Sequence, residues 1–577
     1  MVTLKIDGRT VQADENMTVL DAARQENIRI PTLCYLKDIN KIGACRMCLV
    51  EDKRSGKMMA SCVMPVSEGM EVSTNSAKVL EARKFVLGLI LSDHDRVCLT
   101  CNRSQSCELQ TLAQELGVDE IKYEGERIRR RVDDMSPSIV RDNNKCILCR
   151  RCVAACEKTQ GVACIGMVNR GFETQVAPAF EKPLVDTNCI NCGQCIAACP
   201  TGALREKDST AAVWAALNDP KKFVVFQPAP AVRVAIGEEF GLPIGTRCTG
   251  KLAAAMRRLG ADKVFDVDFA ADLTIMEEGT ELLTRIKEGG VLPMITSCSP
   301  GWIKFCEHMY PEFIPNLSTC KSPNQMQGAI TKTYFAQKNG LDPKDIFVVS
   351  VMPCTAKKFE IIRPEMGRDG YRDVDANITT RELARMVKQA GIDFVNLPDE
   401  DFDDMLGDST GAAVIFGVTG GVMEAALRTV ADILTGQDLK DIEYCDVRGI
   451  EGIKEATVNV AGMDIKVAIC HGTANAAKLL DAIKAGEKSY HFIEIMGCPG
   501  GCVTGGGQPI VDAQTREFCD PRVLRAKATY DEDEAKVIRK SHQNPSIKKI
   551  YEEFLGEPLG HKSHELLHTH YTDRSGM

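Results

Sequence analysis

The sequence predicts an α/β domain over residues 210–515, preceded by three small α+β domains and followed by a helical segment over 516–577. Three observations predict it. From about residue 210, apolar strand-like runs alternate with amphipathic helices, the pattern of buried sheets covered by helices. Before that point, short elements are separated by Gly-rich, cysteine-bearing loops. Residues 138–207 hold a doubled cysteine run, the chain's internal repeat.

In chain order, residues 1–10 and 58–64 read as short strands and Thr18–Glu26 as a helix, giving a mixed domain over 1–78. Ser76–Ser92 reads as a helix with Val79, Leu80, Phe85, Val86, Leu89 and Ile90 on one apolar face. It opens a second unit, 79–125, which carries a Cys/His loop. Glu124–Asp134, with Arg127, Arg129, Arg130 and Arg131, reads as a solvated linker. In the α/β region, strands are expected at Phe223–Phe226, Val264–Val267, Ile346–Val351, Ala413–Phe416 and Ile465–Cys470. The polar tail ends in His561, His564, His568 and His570, which read as surface residues because no cysteine or carboxylate grouping completes a metal site.

Composition narrows the function. A net charge of −9 with no strong basic run argues against nucleic acid or an anionic membrane as partner. The first ten residues alternate charges where a signal peptide would be apolar, and no run reaches the roughly 18 apolar residues of a membrane span. A soluble, cytoplasmic protein is expected. In a reducing compartment its 26 cysteines read as metal ligands rather than disulfides.

The doubled run is Cys146-x2-Cys149-x2-Cys152-x3-Cys156 and Cys189-x2-Cys192-x2-Cys195-x3-Cys199-Pro200. This is the bacterial ferredoxin spacing for two 4Fe–4S clusters, in which the fourth cysteine of each run serves the other cluster. Cys146, Cys149, Cys152 and Cys199 therefore form one set, and Cys189, Cys192, Cys195 and Cys156 the other. Cys34-x10-Cys45-x2-Cys48-x13-Cys62 resembles the plant-type 2Fe–2S site, with a longer first gap. His94-x3-Cys98-x2-Cys101-x5-Cys107 suits zinc or a 4Fe–4S cluster with one imidazole ligand, and its place between electron-transfer modules favours the cluster. These motifs use fifteen of the cysteines. Cys164, Cys248, Cys445, Cys470 and Cys519 read as buried apolar thiols.

Three loops stand out in the α/β region: Ile295-Thr296-Ser297-Cys298-Ser299-Pro300-Gly301-Trp302, Met352-Pro353-Cys354-Thr355-Ala356-Lys357-Lys358-Phe359-Glu360, and Glu494-Ile495-Met496-Gly497-Cys498-Pro499-Gly500-Gly501-Cys502-Val503-Thr504-Gly505-Gly506-Gly507-Gln508-Pro509. Each places a thiol on a Pro/Gly-rich turn after an apolar strand, where open α/β sheets form sites. A lysine three residues after Cys354 can hold an anionic ligand. No phosphate loop or dinucleotide fingerprint is evident.

These loops resemble the three signature motifs of the FeFe-hydrogenases. The preceding cysteine sets resemble the multi-cluster clostridial type and the catalytic subunits of NADP-reducing hydrogenases. The resemblance implies reversible H2 oxidation and proton reduction at an H-cluster: a 4Fe–4S cubane joined through one cysteine to a di-iron unit with CO, cyanide and a dithiomethylamine bridge. It implies Cys354 and Cys498 as cubane ligands and Cys502 as the bridging cysteine. Lys357 is implied as the cyanide partner, and Pro230, Gln325, Met352, Phe416 and Met496 as pocket residues. The implied proton relay is Cys298, Glu278, Ser318, Glu281 and Arg285. Implied partners are ferredoxin or flavin/NAD(P)-binding subunits, and maturation proteins. One position departs from the family pattern: Ser299 stands where the pattern has a cysteine ligand. A hydroxyl is a harder ligand than a thiolate. Ser299 as alkoxide, Cys298 swung inward, and a spare thiol such as Cys320 or Cys306 are three competing ways to complete the cubane. Two other classes share such motifs: an H2 sensor with impaired turnover, against which Cys298 and both relay glutamates argue, and an assembly scaffold, which would lack the intact second and third loops.

Overall fold

The computed structural model describes residues 1–123, 127–440, 442–460 and 462–576. The N-terminal domain is a five-stranded mixed sheet in the order Arg9–Ala13, Val2–Ile6, Glu71–Ser73, Leu49–Asp52, Met58–Ala60. The expected strand 1–10 is a hairpin, because Asp7 and Gly8 both take positive φ. The helix Val19–Gln25 is closed by a capping box between Thr18 and Asp21.

The helix Ala77–Asp93 starts at its Ser76 cap but buries a different face from the one expected. Val79, Arg83, Leu87 and Leu91 point inward, at i, i+4 spacing, while Leu80, Phe85 and Leu89 are exposed. The inward face is fixed by Arg83, whose guanidinium donates to the Leu49 carbonyl at 2.6 Å. The expected linker Glu124–Asp134 lies partly outside the described residues. Among its described arginines, Arg127, Arg129 and Arg131 are exposed as expected, while the half-buried Arg130 donates to Phe172 O and Thr174 O and Arg127 also donates to Ser92 O.

The doubled-cysteine domain is held by two antiparallel strand pairs, Ile139–Arg141 with Leu204–Glu206 and Gly166–Val168 with Gln175–Ala177. The α/β domain has two four-stranded sheets. One is all parallel, in the order Lys263–Val264, Phe223–Pro228, Ile346–Met352, Ala376–Thr379. The other runs Met294–Ile295, Phe492–Met496, Met463–His471, Ile453–Val460, the last strand antiparallel. Val-rich runs such as Phe223–Pro228 are buried on both faces, as parallel strands require. Two strand expectations fail. Val267 begins the helix Val267–Glu288, capped by Asp266. Ala413–Phe416 is helical, within Gly411–Val414 and Ile415–Gly417; every residue there is buried, so periodicity could not separate strand from buried helix.

The tail is not a surface appendage. Leu566 and Leu567, on the helix His561–Leu567, enter the core containing Phe265, Phe335 and Tyr551. The buried His568 accepts or donates at both ring nitrogens, 2.8 Å from Thr319 Oγ1 and 3.1 Å from a Glu277 oxygen. The His564 ring lies tilted against it, with ring centres 4.3 Å apart. No described helix is long and apolar enough to cross a membrane.

Candidate active site and cluster cavities

Four loops leave the carboxyl ends of parallel strands, two from each sheet, and converge. They carry Pro230 after Pro228, Cys354 after Met352, Cys298 and Ser299 after Ile295, and Cys498 and Cys502 after Met496. Such an edge is where open parallel sheets build sites. Electrostatic contacts link Cys502 to Cys354 and Cys498, and Cys298 to Cys502 and Lys357. Gly497 N–H donates to Ser299 Oγ at 3.2 Å, and Lys357 Nζ donates to the Cys298 carbonyl at 3.2 Å. The close approach requires glycine: at Gly505 a Cβ would meet the Pro353 carbonyl oxygen at 2.1 Å.

The donor set suits an iron–sulfur group. Burial pushes the thiols of Cys498 and Cys502 up to about 12, and raises Cys354 as well. Thiolates so placed need bound cations, and soft sulfur selects iron–sulfur clusters. Lys357 is ion-paired to Glu360 at 2.8 Å. Gln325 donates to Glu360 at 3.3 Å and leaves its own buried Oε1 unpartnered. Pro230, Met352, Phe416 and Met496 are buried around these polar groups, a wall that excludes water.

The two spare thiols have other partners. Cys306 donates to the Tyr310 carbonyl at 3.4 Å. Cys320 lies 3.9 Å from a Glu281 oxygen, among the relay carboxylates.

The expected relay is contiguous. Arg285 pairs with Glu281 at 2.6 Å, Ser318 Oγ donates to Glu281 at 3.1 Å, and Ser318 also hydrogen-bonds Glu278, which faces Cys298. Burial, reinforced by the charges of Glu281 and Glu494, raises the Glu278 carboxyl to about 8 against the Ser318 hydrogen bond. Glu494 opens the third loop, but the sequence assigns it no role. Burial raises it to about 7, and it accepts from Gly420 N–H at 2.6 Å and Met423 N–H at 2.8 Å. A carboxylate inside the apolar run Phe-Ile-Glu-Ile-Met was its signal. Tail residues were also missed: Tyr571 donates to Ser318 O at 2.6 Å, and Arg525 braces the third loop by donating to Val503 O at 2.7 Å.

Upstream, Cys34 N–H points at Cys45 Sγ (3.3 Å), and Cys48 and Cys62 sulfurs are 3.3 Å apart. Buried His94 keeps Nδ1 unpartnered, and burial holds the ring down at about 4, neutral and able to ligate. In the doubled domain one cavity is lined by Cys146, Cys149, Cys152 and Cys199, and another by Cys156, Cys189, Cys192 and Cys195, the crossed sets the spacing predicts. Matching positions of the repeat share positive φ, Leu148 (54°) with Asn191 (60°) and Arg150 (62°) with Gly193 (72°). Strain repeated at a bulky leucine marks a functional loop.

The cluster sites are tied to one another and, through the second cavity, to the convergent loops. Asn40 donates to both Cys34 O and Cys149 O, and Glu108 N–H to Pro200 O, tying the two N-terminal units to the first cavity. The second cavity's loop is tied to the active-site loops by Thr355 Oγ1 to Asn191 O (2.7 Å) and Gln194 Nε2 to Thr504 O (3.1 Å). Three apolar-thiol expectations fail: Cys445 is exposed, Cys519 is half-buried, and Cys164 lines the second cluster cavity. Cys248 and Cys470 are buried as expected.

Comparison with known proteins agrees with this architecture. Residues 222–506 match the iron only hydrogenase large subunit, C-terminal domain, and 520–574 the iron hydrogenase small subunit. Residues 1–77 match a 2Fe-2S iron-sulfur cluster binding domain, 83–122 the NADH-ubiquinone oxidoreductase-G iron-sulfur binding region, and 136–205 the NADH-quinone oxidoreductase subunit 3 ferredoxin-like domain. The chain is 52% identical to the NADP-reducing hydrogenase subunit HndD of Solidesulfovibrio fructosivorans, covering 100% of both chains. It is 45% identical to iron hydrogenase 1 of Clostridium pasteurianum, covering 99% of this chain and 100% of that one. The solved FeFe-hydrogenase HydA1 from Chlamydomonas reinhardtii is 43% identical with a TM-score of 0.56, over 63% of this chain and 98% of that one. With an H-cluster domain, appended iron–sulfur domains and full-length similarity to named hydrogenases, this chain belongs to the iron-only, or FeFe, hydrogenases, enzymes that interconvert H2 with protons and electrons.

Proposed function

We propose that the convergent loops hold the H-cluster through Cys354, Cys498 and Cys502, with the Ser299 oxygen as the remaining cubane ligand. The observation that carries this reading is the meeting of those residues with Lys357 at the carboxyl ends of two sheets. Ser299 is favoured over the spare thiols because Cys306 and Cys320 hold partners elsewhere. When bound, the H-cluster, with its CO, cyanide and dithiomethylamine ligands, supplies an iron site at which H2 is split or formed.

The chain's own residues do the rest. Lys357, charge-balanced by Glu360, orients anionic ligands. Met352, Phe416, Met496 and Pro230 keep water out, and Gln325 offers its free polar atom. Cys298 exchanges a proton with Glu278. From there it passes by Ser318 to Glu281 and to Arg285 near the surface. Glu278, at about 8, suits a group that must both take and release protons near neutral pH. Cys34, Cys45, Cys48 and Cys62 would hold one 2Fe–2S cluster, His94, Cys98, Cys101 and Cys107 one 4Fe–4S cluster, and the two crossed cysteine sets two more 4Fe–4S clusters; when bound, these would supply electron transfer between the partner and the active site.

The external partner is ferredoxin or a flavin- and NAD(P)-binding subunit. The similarity to a subunit of an NADP-reducing hydrogenase supports the latter. Maturation proteins would load the di-iron unit. Free cysteines throughout support a reducing, cytoplasmic setting. The test is H2-dependent reduction of NADP by the matured chain with and without a co-expressed flavin subunit. NADP reduction only with that subunit supports the partner; reduction of ferredoxin alone, with or without it, refutes it.

A further inference from the structure

The second ferredoxin-type cavity holds five thiols where a cubane needs four. Cys156, Cys189, Cys192 and Cys195 line it together with Cys164. Cys164 Sγ lies 3.6 Å from Cys156 Sγ, within reach of an S–H···S hydrogen bond, and it also hydrogen-bonds the Cys189 thiol of the same set. The backbone is folded to bring it there. Val162 N–H and Ala163 N–H both donate to the Cys156 carbonyl, and Ala163 takes a φ of 50°. A left-handed alanine is an uncommon cost for a thiol whose only task is to fill space.

The repeat identifies which of the five is the extra thiol. Cys156 corresponds to Cys199 of the other run, and Cys199 lines the opposite cavity. Eight residues after Cys199 stands Lys207, so Cys164 has no counterpart. Among the described residues, the first cavity's nearest hydroxyl is otherwise engaged. Thr201 Oγ1 lies 3.7 Å from Cys199 Sγ but donates to the Lys145 carbonyl at 2.8 Å. The asymmetry falls on the cavity tied to the active-site loops through Asn191 and Gln194.

We propose that Cys164 is a positioning and tuning residue. As a neutral thiol it donates its S–H to the cluster-bound Cys156 sulfur and raises the reduction potential of the cluster next to the active site, and of that one alone. Hydrogen bonds to ligating sulfur stabilise the reduced, more negative cluster. The inference rests on the assignment of Cys156, Cys189, Cys192 and Cys195 to one 4Fe–4S cluster.

The test is a potentiometric EPR titration, with iron counted per chain, of the cluster-loaded parent, Cys164→Ala and Cys164→Ser. The expected result is equal iron in all three, one 4Fe–4S midpoint moved to lower potential in Cys164→Ala, and recovery in Cys164→Ser, whose hydroxyl also donates. Unchanged midpoints in Cys164→Ala overturn the proposal. Loss of about four irons in that variant also overturns it, because Cys164 would then be a ligand. A Cys189→Ala control that loses no cluster refutes the underlying assignment instead.

Discussion

Glu278→Gln isolates the inward end of the proton relay. Burial is the largest cause of the raised carboxyl, which stands at about 8 against an ordinary 4.5. That difference corresponds to roughly 5 kcal/mol disfavouring the charged form. The folded value lies above the unfolded one, so the native state holds this proton more tightly. Its stabilising effect is complete below about pH 4.5 and is lost as pH rises through 8. Glutamine keeps the shape but cannot exchange a proton. Infrared difference spectra of the cluster-loaded parent should show a protonated-carboxyl band at pH 7 that disappears as pH passes about 8 and is absent in Glu278→Gln. H2 turnover of the variant at matched iron content should fall by about 10²- to 10⁴-fold. A band titrating near 4.5, or a variant with turnover close to the parent's, would refute the reasoning.

Lys357→Met strands Glu360, which is 3% exposed, without its cation; a loss of about 3–5 kcal/mol is expected, read as a lower midpoint of unfolding, together with failed di-iron loading seen in infrared spectra. Cys320→Ala should leave iron content unchanged, since this thiol sits among relay carboxylates rather than cubane cysteines; loss of iron would restore it as a ligand. His94→Ala should remove about four irons and one EPR signal while leaving the H-cluster spectrum intact. His568→Ala removes a hydrogen-bond partner from both Glu277 and Thr319, and should lower stability by about 1–3 kcal/mol in thermal unfolding at matched cluster content.

Cluster sites were legible in sequence because a single loop supplies most ligands: cysteine spacing alone gave the crossed sets that line the two cavities. The convergent loops were legible as thiols on turns after apolar strands, yet their meeting depends on two sheets whose pairing no local pattern states. What was lost depended on tertiary burial. Ala413–Phe416 is buried all round, so its apolar run carried no period. Arg83 sits on the inward face of its helix because a distant carbonyl accepts from it. His568 looked like a surface residue because its partners, Glu277 and Thr319, are some 250 to 290 positions away. Cys164 reads as packing in the sequence because no spacing announces its 3.6 Å contact with Cys156.

The most direct measurement is hydrogen evolution from reduced methyl viologen by the matured protein, beside Ser299→Cys, with iron counted in both. The account predicts sustained H2 evolution by the parent, with Ser299→Cys retaining full cubane iron, because the proposed ligand Ser299 Oγ lies at the third loop, accepting from Gly497 N–H. No H2 from either protein with all clusters intact would contradict it. A dead parent beside an active Ser299→Cys would contradict the oxygen-ligand assignment alone.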